Sequence, residues 1–121
     1  MSDRPRFPSA VYRHGDEPDP RFTLANERTF LAWIRTALAL VAGGVALEVL
    51  GLDLHAGLRL AASLVLLAAG IATPAIAWFG WIRAERAMRL GAPLPASPLG
   101  PVLALAVSVS GVLVLLAVLL R

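Results

Sequence analysis

Residues Thr23 to Leu50 read TLANERTFLAWIRTALALVAGGVALEVL. The first part is charged and aromatic, through Asn26, Glu27, Arg28, Phe30, Trp33 and Arg35, and it passes without a break into an apolar stretch that still carries Glu48. From Leu31 onward the stretch has the roughly 20 residues that take a helix across a ~30 Å hydrocarbon core at ~1.5 Å per residue. Two more such runs follow, near Leu60 to Ile82 and Val102 to Leu120. Irregular backbone exposed to lipid would leave its amides unbonded, so each run predicts a helix. The expected fold class is all-α, an integral membrane protein with three transmembrane helices.

Composition points the same way. The 121 residues are 58% hydrophobic and 16% charged, with mean hydropathy +0.73, too apolar for an ordinary soluble domain. No separate soluble domain is expected. All 11 basic residues are arginine, which explains a pI near 11.0. The net charge is only +3, so local basic patches are expected and a nucleic-acid-binding surface is not. A sequence without cysteine excludes disulfides, thiolate catalysis and thiolate metal sites. Asp53 and His55 are too few for a metal site, and no cofactor is expected. No nucleophile, base and orienting group occur together, and there is no Gly-rich phosphate loop, so the chain does not read as an enzyme.

Residues 1–19 mix proline, arginine and acidic side chains with little to bury, and read as a flexible or surface-lying cytoplasmic tail. Without an apolar run they cannot be the core of a cleavable signal peptide, so the first membrane helix is expected to act as an uncleaved anchor. Residues 20–121 read as the three-helix membrane domain, with helices near 22–50, 58–90 and 101–120. Asp19 followed by Pro20, or else Thr23, suits the first helix start. Gly51, Asp53, His55 and Gly57 suggest a short polar turn. Pro74 inside the second helix predicts a bend one turn before it. That helix is expected to run past an aromatic belt of Trp78, Phe79 and Trp81, with Glu85 and Arg89 at the favourable i,i+4 spacing, until Gly91 and Pro93 stop it.

The tail and second loop hold Arg4, Arg6, Arg13, Arg21, Arg28, Arg83, Arg86 and Arg89, whereas the other side holds Arg59 and Arg121. The positive-inside rule then puts the N-terminus in the cytoplasm and the C-terminus outside.

Positions seven apart on a helix differ by about 20°, so Arg28 and Arg35 share one face with Leu24, Leu31, Leu38 and Ala42. Arg35 lies only ~7 Å from the middle of the apolar stretch. Two readings stand for it: a basic ladder that binds or conducts an anion inside an oligomer, or a side chain that snorkels to lipid phosphates. Glu27 suits the first turn of a helix or an arginine partner. Glu48 is about 220° around the helix from Arg35, so an outer pair with Arg59 is the economical reading, beside a gating or proton-binding carboxylate. Small residues recur at four-residue spacing, as Ala39 and Gly43, Ala42 and Ala46, and Ala69, Thr73 and Ala77, and suit helix contacts within one chain or between copies.

DPRFTLANERTFLAWIRTALALVAGGVALEVLG, Asp19 to Gly51, resembles the opening of the YidH family of small bacterial inner-membrane proteins, a domain of unknown function. The resemblance continues to WIRAERAMR at Trp81 to Arg89, and implies a multi-pass protein of the bacterial plasma membrane. More distantly, the three-helix domain looks like the membrane part of the eukaryotic vacuolar transporter chaperone complex, which forms an oligomeric polyphosphate path lined by basic side chains. ANERTFLAW at Ala25 to Trp33 matches its first-helix motif, which implies Glu27 and Arg28 as functional positions, and Arg83 matches its W-x-R ending more loosely. Arg35 has no counterpart in that motif and rests on helix geometry alone.

Two functions are expected. One is a non-enzymatic homo-oligomer in the bilayer whose vestibule, lined by Arg28, Arg35 and Arg83, binds polyanions or anionic lipid headgroups and passes an anion. The other is a scaffold subunit whose small-residue stripes dock a partner membrane protein.

Overall fold

The computed structural model describes residues 6–50 and 53–121. Arg4 of the expected tail and Gly51 of the expected turn lie outside them. The described chain forms four helices: α1 (Ser9–Tyr12), α2 (Pro20–Val49), α3 (Ala56–Leu90) and α4 (Leu99–Leu119). It contains no strand among the described residues.

Local capping fixes the helix ends, two residues before the expected starts. Asp19 caps α2, its Oδ1 accepting from the Arg21 amide at 2.9 Å, and Pro20 takes the first helical position, where its missing N–H is no loss. His55 caps α3, its Nδ1 accepting from the Leu58 amide at 3.2 Å. Ser97 Oγ accepts from the Leu99 amide at 3.2 Å where α4 begins. Gly91 closes α3 at φ 66°, a left-handed conformation that favours glycine. There the Ala92 amide reaches the Ala87 carbonyl at 2.9 Å and the Gly91 amide reaches Met88 at 3.4 Å, a Schellman closure.

Helix α3 is the centre of the molecule, with α2, α4 and α1 packed against it. Small residues line both helices where they pack: Ala37 and Gly44 on α2, and Ala62, Ser63, Ala69, Gly70, Thr73 and Ala77 on α3, are all buried, and Gly44 with Ser63 and Ala37 with Gly70 meet across the α2–α3 seam. At Gly70 an added Cβ would come within 2.6 Å of Val41 Cγ2 and 3.1 Å of the Ala37 carbonyl, so hydrogen alone permits this approach. Ser63 Oγ donates to the Gly44 carbonyl at 2.6 Å across the same seam. Of the three expected stripes, Ala69, Thr73 and Ala77 are buried, whereas Ala39 and Ala42 are exposed. Helix α3 continues through Pro74, and the Thr73 hydroxyl donates to the Ala69 carbonyl at 2.6 Å one turn back. Leu40, Ala69 and Leu103 form a core cluster, one residue from each long helix, with Trp33, Leu66 and Ala106 against it.

Length sets what projects from the bilayer. The 21 residues of α4 make ~32 Å, close to a ~30 Å hydrocarbon core. The 30 residues of α2 and 35 of α3 make ~45 and ~52 Å, so their excess, rich in arginine, stands beyond the core at one end. At the other end the His55 amide donates to the Ala117 carbonyl at 3.1 Å, tying the turn to α4.

Candidate functional site

The arginine-rich end is built where the start of α2, the end of α3 and the linker into α4 meet. Its centre is Glu85, 1% exposed. Thr23 Oγ1 donates to Glu85 Oε2 at 3.3 Å, and Asn26 Nδ2 donates to Oε1 at 3.1 Å and to the Trp81 carbonyl at 3.2 Å. A buried carboxyl needs such donors, because losing water without replacement bonds is costly. The expected Glu85 and Arg89 pair does not form, since each side chain is taken by a different element. Extending the stripe Ala69, Thr73, Ala77 by the same step of four gives Trp81, Glu85 and Arg89, all buried or half-buried. That continuation is the signal by which the sequence places Glu85 in the helix seam.

Arg89, 8% exposed, anchors the segment before α2. Its Nε donates to the His14 carbonyl at 2.6 Å and its Nη2 to Tyr12 at 3.4 Å, while Nη1 lies 3.4 Å from Glu17 Oε1. The Asp16 amide donates back to the Arg89 carbonyl at 3.1 Å. Gly15, at φ 60°, sits where any Cβ would overlap that carbonyl. Val11 and Pro8 are buried, and Phe7 stacks on Trp78 at 6.2 Å. Arg6 pairs with Glu17 and covers the Tyr12 ring. Residues 6–18, expected as a flexible or surface-lying tail, thus form a strap docked on α3. Its two small apolar anchors and one arginine are too few to register as a hydrophobic pattern.

Beside Glu85 lies a cavity of about 310 Å³. Phe22, Asn26, Thr29, Phe30 and Trp33 form its α2 wall, Ala77, Gly80, Trp81, Arg83 and Met88 its α3 wall, and Leu94 to Ser97 with Leu99 its roof. Its polar edges are mostly committed: Asn26 donates to Glu85 and Trp81, and Thr29 Oγ1 to the Ala25 carbonyl at 3.1 Å.

Arg83 lines this cavity, whereas Glu27, Arg28 and Arg35 are exposed on the outer side of α2 and do not. Arg28 and Arg35 share their exposed face with Leu24, Leu31, Leu38 and Ala42. None of Glu27, Arg28, Arg35 and Arg83 forms a hydrogen bond or ion pair among the described residues. At the opposite end Arg59 Nε meets Glu48 Oε1 at 3.4 Å. Among the described residues no group of His, Asp or Glu could hold a metal ion. Outside the spans, His14 is held below its usual pKa first by desolvation and then by Arg86 and Arg13, and Asp19 below its own by its hydrogen bonds to Arg21.

Three helices long and apolar enough to cross a bilayer, packed through small residues with an arginine-rich end, define a small polytopic membrane protein. The domain of unknown function DUF202 matches residues 21–87, and the chain belongs to that family. An uncharacterized protein of Mycobacterium tuberculosis (strain CDC 1551 / Oshkosh) is 49% identical over 100 residues, covering 82% of each chain. The inner membrane protein YidH of Escherichia coli (strain K12) is 48% identical over 88 residues, 70% of this chain and 75% of that one. No solved structure matches the chain.

Proposed function

We propose that the chain is a non-enzymatic, homo-oligomeric protein of the bacterial inner membrane, N-terminus cytoplasmic and C-terminus outside, which binds polyanions at its arginine-rich end and passes an anion. The observation that carries this is a subset of guanidinium groups, Arg28, Arg35 and Arg83, with no partner among the described residues. Arg89, Arg59 and Arg21 are engaged, while these three can bind from outside the chain. Arg35 stands within the apolar stretch on an exposed face, where a charge calls for a protein or water-lined surround. A second copy against that face would supply one. The membrane assignment draws on the likeness to the Escherichia coli inner membrane protein, and the orientation on the arginine distribution. The choice of polyphosphate as the anion rests on the sequence resemblance of Ala25 to Trp33 to the polyphosphate-path motif.

Purified protein in liposomes tests the reading. Polyphosphate binding or anion flux falls when Arg28 and Arg35 are changed to glutamine, and unchanged behaviour refutes it. A second reading, a scaffold that docks a foreign membrane protein, draws on the exposed Ala39 and Ala42, small residues not consumed by the internal seam. Cross-linking in native membranes separates the two: a stoichiometric foreign partner supports the scaffold, self-association alone the homo-oligomer.

A further inference from the structure

We propose that the cavity between α2, α3 and the 94–97 linker is a binding site for an anionic phospholipid, with one acyl chain among Phe22, Phe30, Trp33 and Trp81 and the phosphate on Arg83. The cavity's walls are chiefly aromatic and aliphatic, so a wholly hydrophilic anion would leave them bare and an amphiphile would cover them. About 310 Å³ is at the small end of ligand pockets and suits part of one hydrocarbon chain. The head is chosen by charge. Arg83 is exposed, lines the cavity and has no partner among the described residues, and a guanidinium bonds phosphate in bidentate fashion. Depth agrees as well, because Arg83 lies two residues past Trp81, at the level where aromatic side chains mark the headgroup boundary. The Asn26 and Thr29 donors are already used inside the protein, which leaves the chain-binding wall effectively apolar.

The roof gives the site a consequence. Leu94, Pro95, Ala96 and Ser97 are all exposed, and the linker they form has the cavity beneath it. A bound chain packs under the linker and fixes it against α2.

The proposal shares Arg83 with the polyanion reading but stands on the cavity. Gly80 separates the two. It lines the cavity, and an added Cβ there would meet nothing within 4 Å, so Gly80→Leu adds bulk at the cavity wall without a clash at Cβ and leaves every arginine in place. Native mass spectrometry of the full chain in detergent, titrated with phosphatidylglycerol or phosphatidylcholine, reads the site. Wild type is expected to retain phosphatidylglycerol in preference, Gly80→Leu to bind it about tenfold more weakly, and Arg83→Gln to lose the preference while Arg83→Lys keeps part of it. Circular dichroism confirms that each variant keeps its helix content. Equal retention by wild type and Gly80→Leu overturns the proposal, as does loss in Arg83→Gln alone, which places the lipid on the charge and outside the cavity.

Discussion

Asn26 Nδ2 lies 3.1 Å from Glu85 Oε1, joining the first turns of α2 to the last turns of α3 through a carboxyl that is 1% exposed. In the stretch Ala25 to Trp33 the asparagine is therefore a clamp, while Glu27 and Arg28 are exposed. The clamp is worth more broken than made, because truncating a donor strands a buried acceptor. Asn26→Ala is expected to cost about 1–3 kcal/mol of stability, read from denaturation in detergent. In a double-mutant cycle with Glu85→Ala the two losses are expected to be non-additive by at least ~0.5 kcal/mol. Additive losses would show that the two side chains act apart.

The α2–α3 seam makes a contrasting pair of glycine predictions. Gly70→Ala puts a Cβ within 2.6 Å of Val41 Cγ2 and against two backbone atoms of α2, so the helices must part. Overpacking of this kind costs about 1–3 kcal/mol. Gly80→Ala and Gly111→Ala meet open space, and both are expected to hold or raise the melting temperature. A melting series across the three variants checks the order.

Glu48 and Arg59 lie across the turn between α2 and α3, with 37% and 21% of their side chains exposed. A half-solvated pair at 3.4 Å is weak, so Glu48→Gln is expected to change stability by no more than ~1 kcal/mol. A much larger loss would make the pair a structural tie of the turn, whereas a loss of anion flux with stability intact would assign Glu48 a gating role instead.

What the sequence made readable is what repeats or has fixed length. Three apolar runs defined the spans because hydrocarbon thickness sets their size, and Asp19 with Pro20 and Gly91 carried the chemistry of helix ends. The stripe Ala69, Thr73 and Ala77 showed the right face of α3 but not its partner, and Gly44 with Gly70 mattered more than the exposed Ala39 and Ala42. Glu85 and Arg89 were misread because i,i+4 spacing measures proximity on one helix, while burial gave each a stronger partner from elsewhere. The cavity had no sequence signal at all. It arises from the space between two helix walls and a proline-rich linker, and although Asn26, Phe30, Trp33, Trp81 and Arg83 each stand out in the sequence, nothing in their spacing shows that they enclose one space.

The strap over residues 6–18 carries the last prediction, since Arg89 holds it through the carbonyls of Tyr12 and His14 beside the cationic Arg86 and Arg13. His14 is held below its ordinary pKa of 6.5, so a released strap takes up a proton more readily than a docked one. Docking is therefore fully stable above about pH 6.5 and weakens as pH falls below it, until the docked histidine also protonates. Amide hydrogen exchange, corrected for the intrinsic effect of pH, should show protection at Asp16, whose N–H bonds the Arg89 carbonyl, declining between about pH 7 and 5. His14→Gln removes the titration and is expected to flatten that decline. Arg89→Gln is expected to raise exchange over residues 11–16 at every pH, because the Tyr12 and His14 carbonyls lose their guanidinium donor. Protection at Asp16 that stays constant from pH 7 to 5 in wild type would mean that the histidine does not sense the docking.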